Sequence, residues 1–300
     1  MSVRKTRGER AFNVFNILLL SLLTISFFYP FWHVLCASFS DPNIMRRHTG
    51  LLLWPQQFTT MGYQLVMRNP NIYSGYINTL IVVSCGTLMN LIMTTLGAYV
   101  LSRRVFVLKG PMMVMITLTM FFGGGLIPFF LVVDRLEMLD TLWSLMIPCL
   151  INTYNMIVMR TSFQGLPAEL EESGKIDGAS DARILWSIIL PVSKAMLAVI
   201  GLFYAVTHWN SWFNASIFLR HREKFPLQLV LREILLNSDT TVAGSTLNTD
   251  ALRAIDQNDF YFKELVQYST IIVSIVPILC VYPFLQKYFV KGVMIGSLKG

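Results

Sequence analysis

Six stretches of this chain are long and apolar enough to cross a lipid bilayer, which removes most of the folds open to 300 residues. A membrane helix needs about 20 mainly apolar residues. The stretches lie near Phe12–Cys36, Tyr76–Leu101, Pro111–Val133, Thr141–Met159, Ser193–Phe213 and Leu265–Tyr288. In lipid each backbone polar group must find a partner inside the protein, and continuous apolar runs of this length do so as helices. The expected fold is therefore all-α and polytopic, with six transmembrane helices. Composition agrees: only 14% of residues are charged, against roughly 25% in soluble domains.

Charge in the short segments sets the expected orientation, because Lys and Arg collect on the cytoplasmic side. Arg4, Lys5, Arg7 and Arg10 precede the first span, Arg103, Arg104 and Lys109 follow the second, and Lys287, Lys291 and Lys299 end the chain. The segment between spans three and four instead carries Asp134, Glu137 and Asp140 against Arg135. Both termini are therefore expected inside, in a bacterial cytoplasmic membrane, with Ala37–Gly75 and Asn214–Glu264 outside. The basic start resembles a signal peptide, but its apolar run is too long and lacks a cleavage site, so it reads as a retained anchor. The expected organisation is 1–75 for the N-terminal stretch, first span and outer loop, 76–290 for the core, and 291–300 for a cytoplasmic tail.

Several functions are excluded. The net charge of +7 is spread beside apolar segments, not gathered on one run, so no nucleic acid is expected. Cys36, Cys85, Cys149 and Cys280 form no CxxC pair, and the four histidines have no metal spacing. No metal site and no cofactor are expected in this chain. The one Gly-Lys pair, Gly174-Lys175, has Glu169 where a phosphate loop needs glycine and Ile176 where it needs Ser or Thr. Gly123-Gly124-Gly125 lies inside a span, where a flexible or close-packed helix is expected rather than a nucleotide loop. No catalytic constellation is found, and the chain reads as a non-enzyme.

The polar interruption is Thr161–Ser187, with Glu169, Glu171, Glu172, Asp177 and Asp181 against Lys175 and Arg183. Pro167 suits a first helical turn, and the acids behind it favour a helix N-terminus. Asp177-Gly178 is a turn pair, and Ser180 can cap a second helix with Asp181 in its first turn. Two short helices joined at Gly178 are expected. Leu170, Ile176, Ile184 and Trp186 recur along them, which suits a stiff docking element better than a solvated linker.

The spacing also carries a resemblance. Glu172-Ser173-Gly174, then Gly178, then Ile188-Ile189-Leu190-Pro191 is similar to the E-A-A-x-x-x-G…I-x-L-P loop of ABC-importer permeases. Ser173 and Gly174 replace the alanines, and Gly174 should loosen the first helix by about 1 kcal/mol relative to Ala. Asn78-Thr79-Leu80, opening span two, resembles the start of the family's transmembrane core, and Leu166–Ala179 and the ending Lys291-Gly292-Val293-Met294 with Ser297-Leu298-Lys299-Gly300 resemble the carbohydrate, maltose-type branch. The likeness covers roughly Tyr76 to Gly300. It implies a type I importer fold and a second homologous permease. It also implies two ATPase subunits that hold ATP and Mg, an extracytoplasmic solute-binding protein and an oligosaccharide substrate. It assigns ATPase coupling to Glu172, Ser173, Gly174, Asp177, Gly178, Ala179 and Pro191. The tail would reach between the ATPase subunits, as in maltose-type systems.

Polar groups inside spans mark packing seams or a path. Asn90, Thr94 and Thr95 in span two, Asn152, Tyr154 and Asn155 in span four, and His208, Trp209, Asn210 and Trp212 in span five are the candidates. Amides with flat aromatic rings suit a sugar; interhelical hydrogen bonding or an aromatic belt would use the same residues. Arg220, His221, Arg222 and Lys224 would suit an acidic glycan or partner, as in the similar alginate-type, uronate-oligosaccharide importers. A permease for peptide or polyamine remains an alternative. A secondary carrier is disfavoured because no acid or base lies deep in a span.

Overall fold

In a computed structural model, residues 6–45, 48, 50–103, 106–236 and 260–297 are described. Arg4, Lys5, Arg104, Lys299, the 237–259 part of the expected outer segment and the side chains of Lys287 and Lys291 lie outside them. Every regular element among the described residues is helical. In chain order these are α1 (Arg7–Ser38), α2 (Pro42–Met45), α3 (Met61–Arg68), α4 (Pro70–Ser102), α5 (Lys109–Phe121), α6 (Leu126–Arg135), α7 (Trp143–Met146) and α8 (Thr153–Gln164). They continue as α9 (Glu169–Ile176), α10 (Asp181–Ile184), α11 (Leu190–Val192), α12 (Lys194–Trp209), α13 (Trp212–Phe218), α14 (Leu227–Leu236) and α15 (Phe260–Ser297). A π-turn, Leu185–Ile189, joins α10 to α11.

The chain forms two compact units, 1–69 with 234–276, and 70–233 with 277–300. In the first, α1 starts on a capping box: Thr6 Oγ1 accepts from Glu9 N–H at 3.3 Å and the Glu9 carboxylate accepts from Thr6 N–H at 2.7 Å. Its apolar flanks are exposed along nearly the whole length, as a lipid-facing helix requires.

The second unit is built on α4, which carries two apolar cores about 24 Å apart along its axis. At one end Val82 packs with Val133, Leu145, Met146, Phe218 and Leu229. At the other, Ala98, Tyr99 and Leu101 meet Met156, Met159 and Phe163 of α8, Ile200 and Tyr204 of α12, and Ile184, Leu185 and Ile189.

The expected spans are not all straight rods. Among the described residues three helices are long and apolar enough to cross a membrane, or up to five if each of two bent pairs counts as one span. The stretch expected as the third span is two helices, α5 and α6, set at 114° to each other. Gly123–Gly125 makes this break, Gly125 holding φ +82°. The triple glycine is thus a hinge between helices and no close-packed helix region; nothing lies within 4 Å of a Cβ at Gly123. The fourth, Thr141–Met159, is not one helix. Pro148 has no N–H to continue α7, and the chain runs without regular structure to Asn152. Hydropathy misses this break because its carbonyls are satisfied by a distant residue.

That residue is Asn90, fully buried midway between the two cores. Its amide nitrogen donates to the Cys149 and Leu150 carbonyls at 2.6 and 2.9 Å. This orientation makes its oxygen the acceptor, so His208 Nε2 donates to it at 2.6 Å. A methyl at Gly86 would lie 2.6 Å from that same ring nitrogen, so only glycine lets α12 come this close. Replacing Asn90 with Leu should strand two carbonyls and one N–H. With each loss worth about 1–3 kcal/mol, the heat-unfolding midpoint in detergent should fall clearly. An unchanged midpoint would remove Asn90 from the framework.

Candidate functional site

The polar interruption folds as a compact elbow. α9 ends on Asp177, and Gly178 turns the chain with φ +74°. Gly178 N–H donates to the Lys175 carbonyl and Ala179 N–H to the Gly174 carbonyl, both at 3.0 Å. This pair of bonds is a Schellman motif, which glycine favours because it enters the left-handed region without a Cβ penalty. Ser180 then caps α10, its Oγ accepting from Arg183 N–H at 3.4 Å.

The elbow has two faces. Inward, Gly174, Ile184, Leu185 and Ile189 are buried, and Ala179, Ile188 and Leu190 pack against the same core. A methyl at Gly174 would sit 3.0 Å from Ile184 Cγ1 and Ile188 Cδ1. Gly174 therefore lets two isoleucines close against α9, and this packing offsets the loosening expected of a helical glycine. Outward, Glu172, Ser173, Asp177, Gly178 and Pro191 are exposed. Ile176 and Trp186 are also exposed, 86% and 57%. The expected apolar pattern thus splits: Ile184 anchors the elbow, while Ile176 and Trp186 are left on the free face.

Both arms of the elbow are held by the last turn of α4. Tyr99 Oη donates to the Asp181 carbonyl at 3.2 Å. Arg103 lies over the Tyr99 ring, 4.3 Å from its centre, and forms an ion pair with Glu171. Lys175 Nζ reaches the other Glu171 oxygen at 2.9 Å. Burial alone would raise the Glu171 pKa, but Lys175 and Arg103 outweigh it and hold the carboxyl below its ordinary value. Arg160 Nε donates to the Leu101 carbonyl at 3.0 Å, tying α8 to the same turn.

The candidate path residues separate into two sets. Asn90, Thr94, Asn155 and His208 are buried. Asn90 and His208 hold each other, and Thr94 pairs with Tyr204 Oη at 2.7 Å. Tyr204 Oη also accepts from Asn152 N–H at 3.0 Å, so it joins α4, α8 and α12. Asn155 N–H donates to Asn152 Oδ1 at 3.1 Å, capping α8. Asn152, Tyr154 and Asn210 are exposed. Trp209 is 8% exposed, and its indole N–H has no partner among the described residues.

Residues 93–295 match the model of the family described as binding-protein-dependent transport system inner membrane component. The chain belongs to this family. Bacillus subtilis protein LplC is 36% identical over 299 residues, covering all of this chain and 98% of its own length. The B. subtilis polygalacturonan/rhamnogalacturonan transport system permease protein YtcP is 37% identical over 271 residues, 90% of this chain and 92% of its own. A solved bacterial ABC transporter involved in the import of the acidic polysaccharide alginate superposes with a TM-score of 0.87 at 32% identity. That match covers 96% of this chain and all of the other. The protein is thus a multi-pass transport permease, not an enzyme, and belongs to systems in which a separate ATPase and a solute-binding protein act with paired permeases.

At the other end of the permease a second cluster centres on Asp140, which holds φ +56°. Its Oδ1 accepts from the N–H groups of Arg220 and His221 at 2.9 and 3.1 Å, and its Oδ2 binds Lys224 Nζ at 2.7 Å and His221 Nδ1 at 2.5 Å. Asn78 Nδ2 donates to the Glu223 carbonyl at 2.7 Å, and Thr79 Oγ1 accepts from Leu227 N–H at 2.8 Å. Arg222 lies 3.7 Å from Glu233. The basic run expected to face a glycan or partner therefore spends His221, Arg222 and Lys224 on bonds within the chain.

Lys224 does most to hold the Asp140 carboxyl well below the usual carboxylate range, with the Arg220 and His221 backbones adding to it. A depressed folded pKa stabilises the clamp fully above the unfolded value of about 3.9 and loses that contribution as pH falls below it. Cleavage within 219–225 should thus rise on acidification below about pH 4. Asp140→Asn should show the same cleavage at neutral pH. Equal protease resistance of mutant and wild type would contradict the clamp.

Tyr99, Arg103, Glu171 and Tyr204 did not stand out as functional residues in the sequence. Arg103 served only as an orientation marker. The available signal was an aromatic and an arginine at i, i+4 in the last turn of a span.

Proposed function

We propose that this permease is one half of a heterodimeric pair that imports oligosaccharides, with acidic, uronate-type chains as cargo. Two ATPase subunits lie on the side of the elbow, and a solute-binding protein delivers cargo at the opposite face. Both termini and the elbow face the cytoplasm. The chain itself carries no cofactor; ATP and Mg reside on the ATPase subunits. Glu172, Ser173, Asp177 and Gly178, with Ile176 and Trp186, form the docking face, while Gly174, Ala179 and Pro191 shape it.

The observation that carries this reading is the exposed face of a rigid elbow whose inner face is built into the helix bundle. An apolar pair rimmed by acids suits a partner cleft better than water. The acidic-sugar reading is supported by two similar proteins, one described as importing alginate and one named for polygalacturonan and rhamnogalacturonan transport. Within the membrane the path narrows to Asn152, Tyr154, Asn210 and the Trp209 N–H, which has no partner among the described residues, since Asn90 and His208 hold each other and Thr94 holds Tyr204.

The test is ATPase stimulation in liposomes holding the complete transporter. The cognate binding protein loaded with uronate oligosaccharides should stimulate hydrolysis and uptake; neutral maltooligosaccharides, peptides and polyamines should not. Stimulation by peptide or polyamine alone would replace the cargo. Failure of any ATPase subunit to copurify would remove the importer reading altogether.

A further inference from the structure

The segment after α1 has a surface that neither coupling nor cargo explains. From Thr49 to Met67 no Asp, Glu, Lys or Arg occurs. Yet within it Leu51, Leu53 and Trp54 are 70%, 58% and 72% exposed. Exposed apolar groups gathered in this way mark contact with a partner or a membrane.

Hydrogen bonds register the segment against α1. Phe58 bridges Ser40, just past the helix end, and Thr59 N–H donates to the Phe39 carbonyl at 2.9 Å. From there the chain lies back along the helix. Trp32 Nε1 donates to the Leu53 carbonyl at 2.9 Å, and Leu52 N–H donates to Tyr29 Oη at 3.2 Å. Leu52 is fully buried against Cys36 and Ala37. The Leu53 carbonyl also lies 3.7 Å from Cys36 Sγ, so the segment lies beside the turns from Trp32 to Ala37, reaching back by about 9 Å from the helix end at 1.5 Å per residue.

This depth decides the surroundings. About 20 residues of α1 counted from Phe12 fill the hydrocarbon layer and end near Phe31. Leu51–Trp54 therefore lies at the boundary between lipid and water. Phe28, which meets Trp32 on the helix, is itself 53% exposed. Phe28, Trp32 and Trp54 stand in a row, with ring centres 6.0 and 6.4 Å apart, so the lipid-facing surface of the span continues onto the loop. The bonds from Trp32 and to Tyr29 fall on backbone groups that would otherwise need water, as non-helical chain at this depth requires. A Trp at the boundary without charged neighbours fits the aromatic belt.

We propose that residues 50–58 form a membrane-interface anchor, in which Leu51, Leu53 and Trp54 enter the lipid of the leaflet at the C-terminal end of α1. The anchor fixes the depth of the first span and the start of the following segment. A protein partner on this surface is the competing occupant.

Tryptophan emission from the assembled transporter separates the two, in liposomes of phosphatidylcholine with or without bromine at shallow acyl positions. The spectrum of wild type minus Trp54→Phe isolates Trp54. It should be blue-shifted and quenched by about half in brominated lipid, as expected of a belt residue. Leu51→Trp should add a further lipid-quenchable signal, which keeps the test valid if the first variant assembles poorly. A difference spectrum that brominated lipid does not quench, whether it reports water or changes on adding the binding protein, overturns the proposal. Neither result depends on which cargo is carried.

Discussion

Gly178→Asp should leave the permease folded and inserted yet abolish most ATP-driven transport. The elbow can take the substitution: no atom lies within 4 Å of a Cβ at this position, and its two capping bonds use only backbone groups. Asp is also among the residues that enter the left-handed region most readily. The new carboxylate stands beside Asp177 on the exposed face, where docking would strip its water. An unpaired charge buried in that way costs about 3–5 kcal/mol, on the order of a hundredfold or more in docking. Gly178→Asn has the same shape and backbone tolerance without the charge and should keep a much larger share of coupling. The measurement is sugar taken up per ATP hydrolysed in liposomes. Wild-type coupling in the Asp variant would take the elbow out of the mechanism.

What could be read from the sequence was local. A turn glycine, a serine cap and acids in a first turn act within a few residues, and the elbow emerged where they placed it. Long apolar runs likewise marked the spans, because lipid imposes one rule on each residue. What failed depended on contacts far along the chain. The break at Pro148 is tolerated only because Asn90 satisfies the Cys149 and Leu150 carbonyls. Within the run from Arg220 to Lys224, His221 and Lys224 bond Asp140, some eighty positions earlier, which no local pattern announces. Asn90, Thr94 and His208 have the chemistry of a sugar site, yet Asn90 and His208 bond each other and Thr94 bonds Tyr204. Residue type indicates what a polar group can do in a membrane; its partners decide whether that capacity remains.

Arg103→Glu should uncouple the transporter from the other side of the elbow, and Glu171→Arg added to it should restore part of the loss. The docking face can move the membrane helices only if the elbow is held to them. Beside the packed inner face, a polar hold is made at the end of α4, where Tyr99 takes the second arm through the Asp181 carbonyl and Arg103, just past the helix, takes the first through Glu171. The ion pair is shielded, with side chains 17% and 22% exposed, so solvent screens it less than a surface pair. Reversing Arg103 sets two carboxylates together and removes the cation over Tyr99, a cost of about 2 kcal/mol, between values for exposed and buried pairs. If the hold transmits motion, uptake per ATP should fall by roughly thirtyfold, while ATPase subunits still copurify. The reversed pair restores opposite charges but leaves a carboxylate over the Tyr99 ring, and its new guanidinium on α9 stands four positions from Lys175. Recovery should therefore be partial. A merely structural role predicts a different pattern: lower yield in both variants with coupling unchanged in what assembles. Full coupling in Arg103→Glu would show that the packed isoleucines of the inner face carry the motion without the tie.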